Sequence, residues 1–210
     1  MLTLIVGLGN PGARHEGSRH NVGFSVIDSL RSSLLLPNYR DAFAGAFTRG
    51  AVRGHSRELA LLKPMTFMNL SGLSVQRARA QLRVQLRDVI VVHDELDLTF
   101  GRVRVKVGGG HAGHNGVRSL VEHLSSPEFV RVRMGVGRPP PAFGGDVADY
   151  VLSGFEPAEQ TQLSRFLLAG VSAVGAVLVS GASEAMNRVN RPSPGTQGTR
   201  RDPEKGRDDD

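Results

Sequence analysis

The 210-residue chain contains no cysteine, which excludes disulfides, thiolate nucleophiles and cysteine–metal sites. It has no tryptophan, and aromatic residues make up only 5% of it, so the core must rest on Val, Leu, Ile, Met and Phe. No apolar run is long enough to cross a bilayer. The longest, Leu167 to Val179, would cover ~20 Å as a helix against a hydrocarbon core of ~30 Å, and it is interrupted by Gly170, Ser172 and Gly175. It is expected to be a buried helix. Met1 to Leu8 has neither a basic leader nor a cleavage site and reads as a strand, not a secretion signal. There is no G-x-S-x-G elbow to present a serine and no H-E-x-x-H helix to hold zinc. His111, His114 and His20 could be grouped as a metal site, but H-x-x-H in a glycine-rich loop is not a strong zinc signature, and no metal is expected.

What is present is an ordinary soluble composition, 40% hydrophobic and 22% charged, with a formal net charge of +6. Beyond Asn190 the charges balance, so the excess lies on the body of the chain. A basic globule suits a polyanion such as nucleic acid, and a merely soluble basic surface fits equally well.

Strand and helix patterns alternate along the chain. Leu2 to Leu8 reads as a central strand, and Val22, Val26, Ile27, Leu30 and Leu34 recur at helical spacing up to Pro37. Phe43–Val52 and Leu59–Leu62 read as two strands around a turn at Arg53-Gly54-His55-Ser56. A helix capped by Ser71 should run to Leu82, followed by a strand from Val89 to His93. Arg102 to Val107 alternates basic and apolar, and a helix from about Val117 to Leu124 precedes a strand at Val130–Val136. Pro139 opens a long loop with Gly144-Gly145. Glu156-Pro157 begins a long helix, with a short one expected at Ser183–Asn187. The expected fold is an α/β single-domain three-layer sandwich with a mixed, mostly parallel central sheet. It should span residues 1–190, with a charged, disordered tail at 191–210.

The candidate chemistry gathers at strand ends. Val91-Val92-His93-Asp94-Glu95-Leu96-Asp97 runs an apolar strand into acids, and His20 lies in Ser18-Arg19-His20-Asn21-Val22-Gly23 near another strand end. If those ends are neighbours, Asp94 can fix the tautomer of His20 and make it a general base. Taken singly, His20 could be a cap and Asp94 a strand terminator. His93 should point away from Asp94 and be structural. Glu95 and Asp97 read as solvated or loop-fixing. Asn10 offers one acceptor and two donors where α/β folds place ligands, although Asn before Pro is also turn chemistry. Gly7-Leu8-Gly9-Asn10-Pro11-Gly12 fits G-x-G-x-x-G, but Pro11 removes an N–H and the helix begins too late to face a pyrophosphate. Arg102, Arg104 and Lys106, with Arg131 and Arg133, could line a phosphate-binding patch or a solvated sheet face.

Five ordered motifs carry a resemblance: Ile5-Val6-Gly7-Leu8-Gly9-Asn10-Pro11-Gly12, Arg19-His20-Asn21-Val22-Gly23, Pro64-Met65-Thr66-Phe67-Met68-Asn69-Leu70-Ser71-Gly72, His93-Asp94-Glu95-Leu96-Asp97 and Gly108-Gly109-Gly110-His111-Ala112-Gly113-His114-Asn115-Gly116. Together the chain resembles the bacterial peptidyl-tRNA hydrolase family over roughly residues 1–190. The resemblance implies a monomeric, cytoplasmic, cofactor-free enzyme that cleaves the ester between a peptide and the 3′ ribose of tRNA. It implies no membrane and no obligate protein partner. It makes His20 the general base, Asp94 its orienting carboxylate, and Asn10, Asn69 and Asn115 the grip on the peptide end and the tetrahedral intermediate. Phe67 and Met68 become the groove wall, and Lys106 and Arg133 the clamp on a tRNA phosphate. The family usually has Tyr where this chain has His15, which would form part of the site rim. The alternative is a non-catalytic RNA-binding relative of the same fold.

Overall fold

The computed structural model describes residues 2–52 and 58–191. Apolar strands that are buried on both faces form the centre of one seven-stranded sheet. The strands are β1 (Leu2–Gly7), β2 (Arg40–Ala42), β3 (Gly45–Ala51), β4 (Glu58–Pro64), β5 (Val89–Glu95), β6 (Val103–Val107) and β7 (Val130–Gly135), in the order β2-β3-β4-β1-β5-β7-β6. The four at the centre, β4, β1, β5 and β7, are parallel, and the strands outside them are antiparallel. The expected mixed sheet is therefore parallel at its centre and antiparallel at both edges.

Alternation along each strand sends side chains to two separate cores. Ile5, Ile90, Val92, Val105 and Val132 face α1 (Val22–Ser33) and α5 (Pro157–Val189). Leu4, Val6, Val89 and Val91 face α2 (Ser71–Leu82) and α3 (Asn115–Leu124). The result is three layers, helix–sheet–helix. By length and composition alone α5 could cross a membrane, but Phe166, Val174 and Val177 lie in the core. A left-handed Gly181, at φ 78°, breaks it at the point where a second helix was expected.

The site is positioned by β1 and β5, which pair Gly7 with Val92. The helix that follows β1 covers one face, and α3, which follows β5 and β6, covers the other. A crevice therefore opens between the carboxyl ends of the two strands. The start of α1 lies directly on this edge. A Cβ at Gly23 would come within 2.5 Å of the Leu8 and Val92 carbonyl oxygens, and one at Gly7 within 2.4 Å of the Gly23 oxygen. One at Gly9 would meet the Phe24 ring. The Gly7 and Gly9 positions that mimic a dinucleotide fingerprint thus serve close helix–strand packing.

Several expectations need correction. Ser71 is not a cap but the first residue of α2, fully buried, and its hydroxyl has no hydrogen-bond partner among the described residues; Leu70 occupies the cap position. The helix expected from Val117 begins at Asn115, because His114 caps it. The long loop after Pro139 contains a helix, α4 (Val147–Leu152), started by a reciprocal Asp146/Asp149 capping box. The short edge strand β2 was not expected. Arg102 precedes β6 instead of belonging to it, and its guanidinium donates to the Arg191 carbonyl. The expected turn at 53–56 and all but the first residue of the tail 191–210 lie outside the described residues.

Candidate active site

His20 sits on a single helical turn (Arg19–Asn21) that leads into α1, and Asp94 is the penultimate residue of β5. Their side chains meet: His20 Nδ1 lies 2.9 Å from Asp94 Oδ1 and 3.0 Å from Oδ2. Burial pushes the Asp94 carboxyl up, but the imidazoles of His20 and His114 outweigh it and hold the group well below the usual carboxylate range. An ionised carboxylate can only accept, so His20 Nδ1 carries the proton. Nε2 then keeps its lone pair, the arrangement a general base requires. Burial pulls the His20 pKa down, but the charge and hydrogen bond of Asp94 more than offset it and raise the imidazole above its ordinary 6.5.

A second histidine faces the same carboxylate. His114 Nδ1 accepts the backbone N–H groups of Gly116 and Val117 at the start of α3. Its proton is therefore on Nε2, which donates to Asp94 Oδ1 at 2.9 Å. One imidazole thus caps a helix and also stabilises the charge of Asp94. Its signal in the sequence was only its position just before a helix start, in a loop considered for metal. His93 Nδ1 donates to the Asp94 carbonyl at 2.7 Å, and its ring meets that of His114 edge-on. Complete burial, with the neighbouring His114 adding to it, drives its pKa well below 6.5 and keeps it neutral, in line with a structural role. The ligand atoms of His20, Asp94 and His114 lie within 4.8 Å of one another, a spacing that could hold a metal ion. The imidazole nitrogens that face the carboxylate are engaged as hydrogen-bond donors to it.

Asn10, just beyond β1, is held by a reciprocal pair: its N–H donates to Asn21 Oδ1 at 2.8 Å, and Asn21 Nδ2 donates to its carbonyl at 3.0 Å. The Met68 N–H donates to Asn10 Oδ1 at 2.9 Å. That contact fixes which way the Asn10 amide points, and its Nδ2 has no acceptor among the described residues. Asn10, His20, Phe67, Met68, Asn69, Asp94 and Asn115 all line one cleft of about 600 Å³. Phe67 is 58% exposed at its mouth, and the Met68 side chain is buried behind it. Val147, Val151 and Leu152 of α4 form an apolar wall, and Arg118 of α3 also borders the cleft. His15 is not in this wall; it accepts from Arg14 in the loop ahead of His20.

The acids after Asp94 fix the adjoining loop. Glu95 accepts the Asp97 N–H and pairs with Arg133 at 2.8 Å, while Asp97 pairs with Arg138. The basic strands divide by role. Register sets Arg104 opposite Arg133 and Lys106 opposite Arg131, so all four share a face. Arg131, expected in the patch, is buried and ties down the glycine loop by donating to the Gly108 and Gly110 carbonyls. Lys106 is exposed, with no ion pair among the described residues, whereas Arg133 is engaged with Glu95.

A family model described as peptidyl-tRNA hydrolase matches residues 4–197. The chain is 51% identical over 195 residues to the peptidyl-tRNA hydrolase of Sorangium cellulosum, covering 92% of this chain and 86% of that one. It is 47% identical over 187 residues to the Geobacter sulfurreducens protein of the same name, covering 89% and 94%. A crystal structure of peptidyl-tRNA hydrolase from Acinetobacter baumannii superposes with a TM-score of 0.81 at 37% identity, covering 90% of this chain and 94% of that one.

Proposed function

The chain belongs to the peptidyl-tRNA hydrolase family and hydrolyses peptidyl-tRNA, and we propose that His20, oriented by Asp94, is the base that readies the attacking water. The observation that carries this reading is the contact of His20 Nδ1 with both oxygens of a buried, ionised Asp94. An acyl ester is already activated, so one held water, one base and one donor to the developing oxyanion suffice. His20 Nε2 takes a proton as water adds to the ester carbonyl, and Asp94 stabilises the imidazolium. That proton then passes to the departing 3′ oxygen of the ribose.

Asn10 suits the oxyanion role because its Oδ1 is occupied by Met68 and its Nδ2 is left to donate. Asn69 and Asn115 are exposed amides on the cleft wall, and they hold peptide N–H and C=O groups without adding charge near the base. Phe67 and Met68 pack the apolar part of the substrate. A site that meets an amide carbonyl with a donor leaves a free ammonium unpaired, which favours N-blocked aminoacyl esters. Lys106 and Arg133 are the proposed phosphate contacts, Lys106 directly and Arg133 by exchanging Glu95 for phosphate. His15 is at most an outer polar edge. We also infer a cofactor-free monomer acting in the cytoplasm on residues 1–190, from the resemblance to the family. The comparisons lend no support to a non-catalytic RNA-binding role.

The test is release of tRNA from N-acetylated aminoacyl-tRNA. The His20→Ala variant should lose cleavage while keeping tRNA affinity, and full turnover by that variant would refute the assignment.

A further inference from the structure

The geometry points to Arg19 as a positioning residue that fixes the apolar α4 wall against the catalytic base and so sets which acyl side chains the cleft accepts. This rests on the reading of the cleft as the acyl-ester site. Arg19 precedes His20, yet its side chain runs the other way and is only 1% exposed, an unusual place for a guanidinium. There it donates to Ser153 Oγ at 2.8 Å, to the Gly154 carbonyl, and to Glu159 at 2.6 Å. It also lies over the rings of Tyr150 and Phe155, at 4.3 and 5.4 Å. The backbone repeats the link, with the Arg19 N–H donating to the Ser153 carbonyl and Ser18 bridging Gly154.

These partners lie in α4, in the segment leading into α5, and, for Glu159, in the first turn of α5. Val151 and Leu152, which face the cleft, directly precede Ser153. One planar fork with several fixed donors therefore ties the base's own turn to the wall beside it, and a lysine could not reproduce that fork. The wall offers Val147, Val151 and Leu152, with no donor or acceptor side chain among them. A nucleobase is held by aromatic stacking and by polar groups at its edges, so these aliphatic residues match an aliphatic acyl side chain better. The charge of Arg19 is met by Glu159, so its contribution is to place groups, not to alter the proton affinity of His20.

The test compares kcat/KM for N-acetyl-leucyl-tRNA and N-acetyl-glycyl-tRNA in the wild type, Arg19→Lys and Ser153→Ala. The ratio of the two values does not depend on how much enzyme is folded, and the tRNA contribution cancels between variants. Wild type should favour the leucyl substrate, and Arg19→Lys should reduce that preference by about threefold or more, within the range one or two apolar groups supply. Ser153→Ala should move it in the same direction by less, and it decides the matter if Arg19→Lys does not fold. Equal loss on both substrates, or no leucyl preference in the wild type, would overturn the inference while leaving the hydrolytic reading intact. Wild type that cleaves neither substrate would remove the reading itself.

Discussion

Asp94 accepts two imidazole protons with one carboxylate, and Asp94 and His114 act on the His20 base in opposite senses. The charge of Asp94 raises the His20 pKa. Only neutral His20 can take a proton, so kcat/KM should climb as pH rises through that raised pKa. In Asp94→Asn the charge is gone, the His20 pKa falls, and the rise should move to lower pH. The rate itself should drop about a hundredfold or more, because the tautomer is no longer fixed. Removing His114 in His114→Ala takes a donor from Asp94, leaves its charge less compensated, and should move the rise to higher pH. The same change removes the α3 cap and should cost about 1 kcal/mol of stability, readable in a urea titration. Profiles shifted in the same direction by both variants would contradict the arrangement.

Among the elements, the early turns of α1 matter most to the site, because they bring His20 to the end of β5. That approach needs Gly23 bare against the Leu8 and Val92 carbonyls. Gly23→Ala should cost about 1–3 kcal/mol through overpacking, and more activity than stability, since His20 would be displaced from Asp94. Wild-type activity and stability in that variant would show the contact to be slack. The apolar strands and the amphipathic α1 were legible in the sequence, because period and composition are local signals. The pairing of His20 with Asp94 was legible only on the condition that two distant segments are neighbours, and the turn before α1 supplies that neighbourhood. What could not be read depended on tertiary partners. Arg131 sits in an alternating strand and looks solvated, but two glycine-loop carbonyls take it into the interior. Ser71 has the chemistry of a cap, yet packing between α2 and α3 buries it as the first helical residue. The Asp146/Asp149 box did mark α4, but the preceding Pro and Gly cluster concealed it. Arg19 gave no local sign of burial at all.

For the whole molecule, the net charge of +6 provides long-range attraction to a polyanion, and the shared face of β6 and β7 is the proposed place of phosphate contact. Lys106 has no ion pair among the described residues, so Lys106→Ala should weaken tRNA binding and reduce the slope of log K against log salt by about one. Arg133→Ala frees Glu95 to repel phosphate, so its loss of affinity should exceed that of Lys106→Ala. An unchanged slope for both variants would remove the phosphate role. The hydrolytic step depends on the protonation of one imidazole, and nitrogen NMR of His20 as a function of pH reads it directly. His20 should carry its proton on Nδ1 with a bare Nε2 at high pH, and its midpoint should lie above 6.5 and coincide with the rise in kcat/KM. A neutral His20 protonated on Nε2, or a midpoint unrelated to the rate profile, would contradict it.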